Sequence, residues 1–378
     1  MFYYSETGVG IGRFVENKNS RMRRKSNLPS IVACLASTVV GVASQPSEAQ
    51  VTETRPVGAL FADDAPLALR LEGPFAAVKR SADDPQYSAA RLSYVGSDGA
   101  AIALDLRVRA RGKSRLAACS FPPLLLNFRT GELDDTLLEG QNRLKLVTHC
   151  EPRETNAQWV HLEYLAYRVL NLVTDSSLRA RPVEVTYFDT EREREVASGP
   201  GILLEDEEQF AERQNWQLIK EQTLKRARYD QSALALVGTF QYFIGNTDWS
   251  AVAPSTGTSE CCHNVIPLAR NDGVLVPVVY DFDSSGIVDT SYALPDERLG
   301  INSVRQRLYR GTCLDPAALQ ASFEPFQTHR QEIRALYESY PKLTKRSRES
   351  ALTYIDQFYE VLADPKRVER AFRSGCSE

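Results

Sequence analysis

Residues 274–286 read Val-Leu-Val-Pro-Val-Val-Tyr-Asp-Phe-Asp-Ser-Ser-Gly, and the reading of the fold turns on them. The unbroken apolar run predicts a buried strand over 274–280. It delivers Asp281 and Asp283 to the strand end, where Ser284, Ser285 and Gly286 turn the chain. Upstream, the apolar spacing predicts a helix over 231–244, ending in Gly245-Asn246-Thr247-Asp248. A small polar loop then leads to Cys262-His263-Asn264. An aspartate after a helix, an asparagine in the next loop and an aspartate at a strand end converge wherever those ends meet. Such a set suits phosphoryl transfer: one carboxylate orients the attacking hydroxyl, while an amide oxygen and a second carboxylate hold Mg²⁺ or Mn²⁺ against nucleotide phosphates. Each residue also has a plainer role, since Asn-Thr-Asp is ordinary turn chemistry and Asp281 with Asp283 equally open a turn after a buried strand.

Outward from this stretch the chain is α+β, with strands first and helices later. Residues 101–110 alternate apolar with polar, a strand period. Arg111-Gly112-Lys113-Ser114 ends that strand as a turn. Residues 124–128 and 144–148 read as two more strands. Trp159, Leu162, Leu165, Ala166, Val169 and Leu170 recur at helical spacing and predict a helix over 157–174. Strand character returns over 183–188 and 201–204. The acidic residues 205–208 suit the first turn of a long helix reaching to about Ala227. Two more helices are expected over 316–340 and 346–373. This divides the chain into a linker or leading subdomain (50–95), a strand-rich lobe (96–205) and a helical lobe (206–378).

Composition narrows the class further. The chain has 378 residues, 43% hydrophobic and 25% charged, the proportions of a soluble globular protein. A net charge of −4 argues against a nucleic-acid partner, whose binding draws on clustered Lys and Arg. Only two methionines occur, Met1 and Met22. From Met22 a basic stretch, an apolar run over 31–43 and small residues up to Ala49 form the three parts of a secretory signal. The run is too short to span a bilayer. The expectation is therefore an upstream extension over 1–21, a signal peptide over 22–49, and an exported product, periplasmic or extracellular, without a transmembrane segment after cleavage. A buried core segment is the competing reading of that run. Six cysteines follow the signal and allow fifteen full pairings. Cys119 and Cys150 both end strands of one region and are expected to pair, as are Cys262 and Cys313. No Cys-x-x-Cys pair supports zinc.

Three motifs carry a family resemblance. Gly-Asn-x-Asp at 245–248, His263-Asn264, and Pro-x-x-Tyr-Asp-Phe-Asp at 277–283 resemble the catalytic core of CotH-type spore-coat and secreted protein kinases, and more distantly of HipA-like kinases. Arg111-Gly112-Lys113-Ser114 is similar to the Arg-Gly-x-Ser turn of the CotH family. The resemblance covers residues 100–310 in element order and is specific only over 245–286. It implies a two-lobed, atypical protein-kinase-like fold with ATP and Mg or Mn as cofactors and a protein or other hydroxyl acceptor as substrate. Asp248 would be the catalytic base, Asn264 and Asp281 metal ligands, and Asp283 an auxiliary ligand. Lys145, with Glu163 as its ion-pair partner, would bind phosphate, with Arg111 and Glu205 also on the nucleotide side. Glu163 equally suits a solvated helix face, and Lys145 a strand-face charge. Fifteen residues separate Asp248 from Asn264, and Phe121-Pro122-Pro123 stands where the family often carries two lysines.

Other chemistries fit less well. There is no Gly-x-Ser-x-Gly elbow, and the Arg-Gly-Lys-Ser stretch lacks the first glycine and the spacing of a phosphate-binding P-loop. Asp281 and Asp283 lie two apart, on one face of a continuing strand, whereas glycosidase carboxyls flank a sugar from opposite sides. Arg305, Arg307 and Arg310 form a basic cluster, either solvated and acid-paired or facing an anionic ligand. The alternative to a kinase is a catalytically inactive pseudokinase or surface binding module of the same fold.

Overall fold

Alternating burial builds the first half of the molecule. The computed structural model describes residues 56–112, 114–129, 131–254, 259–373 and 376. The expected extension (1–21) and signal (22–49) lie outside the described residues. In chain order come β1 (Leu67–Gly73), α1 (Phe75–Arg80), β2 (Ser88–Val95), β3 (Ala101–Ala110), α2 (Ser114–Ala118), β4 (Leu124–Phe128), β5 (Arg143–Val147), α3 (Glu154–Val173), β6 (Ala180–Asp189) and β7 (Arg194–Leu204). The seven strands close into a barrel in the order β1-β2-β3-β4-β5-β7-β6. Neighbours are antiparallel except at the closing seam, where β1 runs parallel to β6. In β3, Leu104, Leu106 and Val108 point inward while Asp105 and Arg107 face solvent. With Leu71, Leu92, Leu126, Leu144, Val185 and Leu203 they fill the barrel. Residues expected as a linker or leading subdomain thus supply β1 and β2 to the barrel.

β7 has two apolar faces. Leu203 points into the barrel, while Ile202 and Leu204 join a second core with Leu162, Leu165, Ala166 and Val169 of α3. The chain continues through α4 (Glu207–Gln214), β8 (Gln217–Leu218), α5 (Gln231–Ile244), β9 (Val265–Ala269), β10 (Leu275–Val279), α6 (Pro316–Thr328), α7 (Arg330–Ser339), α8 (Lys345–Leu362) and α9 (Pro365–Val368), with β8, β9 and β10 forming a separate sheet in the order β10-β9-β8. The helices from α5 onward join the second core, whereas Phe210 of α4 packs with Ile266, Leu268 and Val278 in a third, smaller one. All five residues of β10 are buried, as its unbroken apolar run predicts. Pro277 of β10 stands opposite Pro267 of β9, whose carbonyl turns to the other side and accepts from Ile219 N.

Three sequence expectations need correction. The helix expected from 205 to about 227 stops at Gln214: Asp206 caps its start by accepting from Glu208 N, but Asn215 turns left-handed at φ 56°. The next residues pair as β8 with β9. The helices expected over 316–340 and 346–373 are each interrupted, at His329, four residues after the helix-breaking Pro325, and around Asp364. Cys119 does bond Cys150, but Cys262 bonds its neighbour Cys261, and Cys313 bonds Cys376. Cys313 lies just before α6, and Cys376 reaches it from the chain end with Cα atoms 4.9 Å apart. Among the described residues no helix is long and apolar enough to cross a membrane.

Candidate functional site

The site is assembled where α5 and β10 end and β9 begins. Asp230 caps the start of α5 by accepting from Ser232 N and Ala233 N, and Gly245 ends it in the left-handed region at φ 70°. The turn after α5 is stitched by Asn246 Oδ1, which accepts from Asp248 N at 2.9 Å. The chain after β10 docks on the same helix end, with Gly286 N donating to Gly245 O and Ile287 N to Ile244 O. Between them, Tyr280 N donates to Asn264 O. Three segments far apart in sequence are thereby locked together by backbone bonds.

Their side chains face one cleft of about 1390 Å³, whose walls include Arg111, Asp248, Asn264, Asp281 and Asp283. Asp248 is clasped by its neighbours: His263 Nε2 lies 2.6 Å from its Oδ1, and Asn264 Nδ2 donates to its backbone oxygen (2.7 Å) and to Oδ2 (3.3 Å). Asn264 and Asp281 both adopt left-handed backbone, at φ 54° and 65°, which Asn and Asp tolerate better than other non-glycine residues. Asp281 N donates to the buried hydroxyl of Tyr167 on α3, so α3 fixes the strand end. The Asp281 carboxylate accepts no hydrogen bond from any described residue. Burial raises its pKa above the ordinary range, Asp283 adds to this, and Arg115 and Arg111 pull the other way. The carboxylate thus stands within the fields of two guanidiniums, Arg115 and Arg111.

Beneath the cleft lies a buried three-residue ion cluster that the sequence did not reveal. Arg115 Nη2 donates to Glu163 at 2.7 Å and Arg115 Nε to Asp283 at 2.6 Å, all three deeply buried. Burial alone would raise the Asp283 carboxyl, but Arg115, Tyr292 and Ser284 all bond it and bring it below its usual range. Glu163 has no such surplus of donors. Burial pushes it up to about 7 against the pull of Arg115, and its Oε1 has no protein partner.

The expected Lys145–Glu163 pair is therefore not formed. Lys145 Nζ bonds Glu207 at 2.5 Å and sits over the Tyr280 ring, while Arg115 occupies Glu163. Glu205 lies away from the cleft walls, in a buried pair with Arg213 at 2.7 Å, where it also accepts from Arg179 N. Arg111 lines the cleft, and its guanidinium makes no ion pair with a described residue. The basic cluster at 305–310 braces backbone. Arg307 donates to the carbonyls of Tyr242 and Phe243 at the end of α5, and Arg310 to those of Thr247 and Trp249 on either side of Asp248. Motif spacing could not have found Arg115 or Tyr167, whose only signals were a cation after the Arg-Gly turn and a tyrosine on the apolar face of α3; Arg310 stood in the basic cluster, but its part in bracing the backbone around Asp248 was not legible.

A divalent ion suits part of this set. Among the described residues no three His, Cys, Asp or Glu side chains cluster as a metal cage. The donors on offer are the Asp281 carboxylate, which accepts no hydrogen bond from a described residue, and the oxygen of the Asn264 amide, whose nitrogen serves Asp248. Two hard oxygens completed by water and phosphate are what Mg²⁺ takes in nucleotide sites. No family model matches the chain, and no curated protein is similar to it.

Proposed function

We propose that this chain is an exported, metal-dependent phosphotransferase on a two-lobed, atypical protein-kinase-like plan, moving the γ-phosphate of ATP to a hydroxyl of a protein or other acceptor. The observation that carries the reading is the convergence of Asp248, Asn264 and Asp281 on the walls of one cleft. Asp248, clasped by His263 and Asn264, has a fixed carboxylate to orient the acceptor hydroxyl and take its proton. Asp281 and Asn264 offer the oxygens that would hold Mg²⁺ or Mn²⁺, which when bound neutralises charge on the phosphates. Arg111, on the wall of the same cleft, offers a guanidinium to the same phosphates. Three disulfides suit an oxidising compartment and support the export part of the reading.

One observation favours the second reading, a nucleotide-free binding module of the same plan: the lysine expected to hold phosphate is tied to Glu207, and its expected glutamate to Arg115. Thermal melting with Mg-ATP and Mn-ATP separates the two. The phosphotransferase reading expects a rise in Tm with nucleotide and metal together, lost in Asp281→Ala. Asp248→Asn should keep that rise while transfer of labelled γ-phosphate falls by roughly 10²- to 10⁴-fold, the usual worth of a general base. A wild-type protein that melts identically with and without nucleotide rejects the reading.

A further inference from the structure

Of the three disulfides, one gives the unfolded chain almost no constraint. Disulfide stabilisation grows with the length of chain enclosed. Cys313–Cys376 and Cys119–Cys150 close 63 and 31 residues, whereas Cys261–Cys262 joins neighbours. Loop closure therefore does not account for it, and its position is the more informative fact. Both residues line the cleft, directly before the His263 and Asn264 that clasp Asp248. Cys261 N donates to Glu221 O, and the Cys262 sulfur lies 3.1 Å from Ala251 O, which also accepts from the Tyr229 hydroxyl. His263 and Ser250 exchange backbone bonds on the next step of the chain. The disulfide thus sits at the joint between the segment bearing Asp248 and the segment that holds it.

We propose that Cys261–Cys262 is a thiol–disulfide exchange site whose partner is a dithiol reductant, and that opening it loosens the hold of His263 and Asn264 on Asp248. Cys262 is the more exposed of the two. The reductant's thiolate attacks the Cys262 sulfur, forming a mixed disulfide while Cys261 leaves as a thiolate. The reductant's second thiol then displaces Cys262. Two electrons and two protons pass from the dithiol to the cysteines, and the dithiol becomes a disulfide. The effect on phosphate transfer rests on the phosphotransferase reading, but the exchange and the loosening do not.

The test treats wild type and a Cys261→Ser/Cys262→Ser variant with graded dithiothreitol. Differential alkylation with mass spectrometry reads each disulfide, and amide hydrogen exchange reads peptides containing Asp248 and His263. In wild type, exchange in these peptides should rise several-fold in step with opening of Cys261–Cys262, whatever the state of the other two bonds. The variant should exchange fast without reductant and no longer respond to it. Unchanged exchange in wild type once the pair is open overturns the proposal, as does a variant that still responds; should the variant fail to fold, the wild-type titration decides alone. Mn-ATP melting of the oxidised protein runs alongside. Absence of a shift there rejects the phosphotransferase reading and leaves the exchange measurement to decide the switch.

Discussion

Arg115 shows how much of the site depends on a single buried charge. Its guanidinium is the shared partner of Glu163 and Asp283, so Arg115→Ala leaves two buried carboxylates facing each other without a cation. Breaking a buried pair from one side costs about 3–5 kcal/mol. Urea denaturation should register a loss of that size, and Arg115→Lys a smaller one, since an ammonium cannot reach both carboxylates with a fixed fork. Arg310 acts on backbone instead, so under the phosphotransferase reading Arg310→Ala should lower kcat while the nucleotide-induced rise in Tm stays. The sequence named Asp248, Asn264, Asp281 and Asp283 because short motifs record which side chains stand at element ends. It paired Lys145 with Glu163, where the structure has Arg115, because nothing local states which of several cations reaches a buried glutamate. That choice is made only when α2 folds against α3 and the strand end after β10.

The elements that could be read best were those whose period is set by one dominant burial face. β3, β4 and α5 run over the residues their patterns predict. Elements settled by a distant partner could not be read: residues 216–219 carry no strand signal strong enough to end a helix, and become an edge only because β9 is there to pair. The end of α5 gives an element-scale prediction. Gly245 has φ 70°, and a Cβ there would collide with the Tyr354 hydroxyl of α8. The left-handed backbone alone costs alanine ~1–2 kcal/mol, and the collision adds to it. Gly245→Ala should therefore lower the urea midpoint and, by displacing the turn, weaken the Asp248 site as well.

At the scale of the whole molecule, two buried histidines work against the fold in acid. Burial, with Lys342 nearby, depresses His161 on α3 from its ordinary value to about 4, and burial depresses His149 in the same direction. Between pH 6.5 and about 4 an unfolded His161 takes up a proton that the folded one refuses, so its contribution to stability is full above this window and is lost as pH falls through it, while Glu163, raised to about 7, acts in the opposite sense. Urea midpoints at pH 7 and 4.5 should differ less in His161→Phe than in wild type. At the chain end, Cys313→Ser/Cys376→Ser releases a 63-residue closure and should cost about 4 kcal/mol in the chain-entropy model, read as a lower Tm. The barrel seam reaches further still. Leu67 of β1 pairs with Val183 of β6, so β1 meets this neighbour only after four other barrel strands, β2 to β5, have been made. A pairing this distant in sequence is slow to form. Until it forms, the growing chain presents open strand edges, the template on which another copy of the chain can pair.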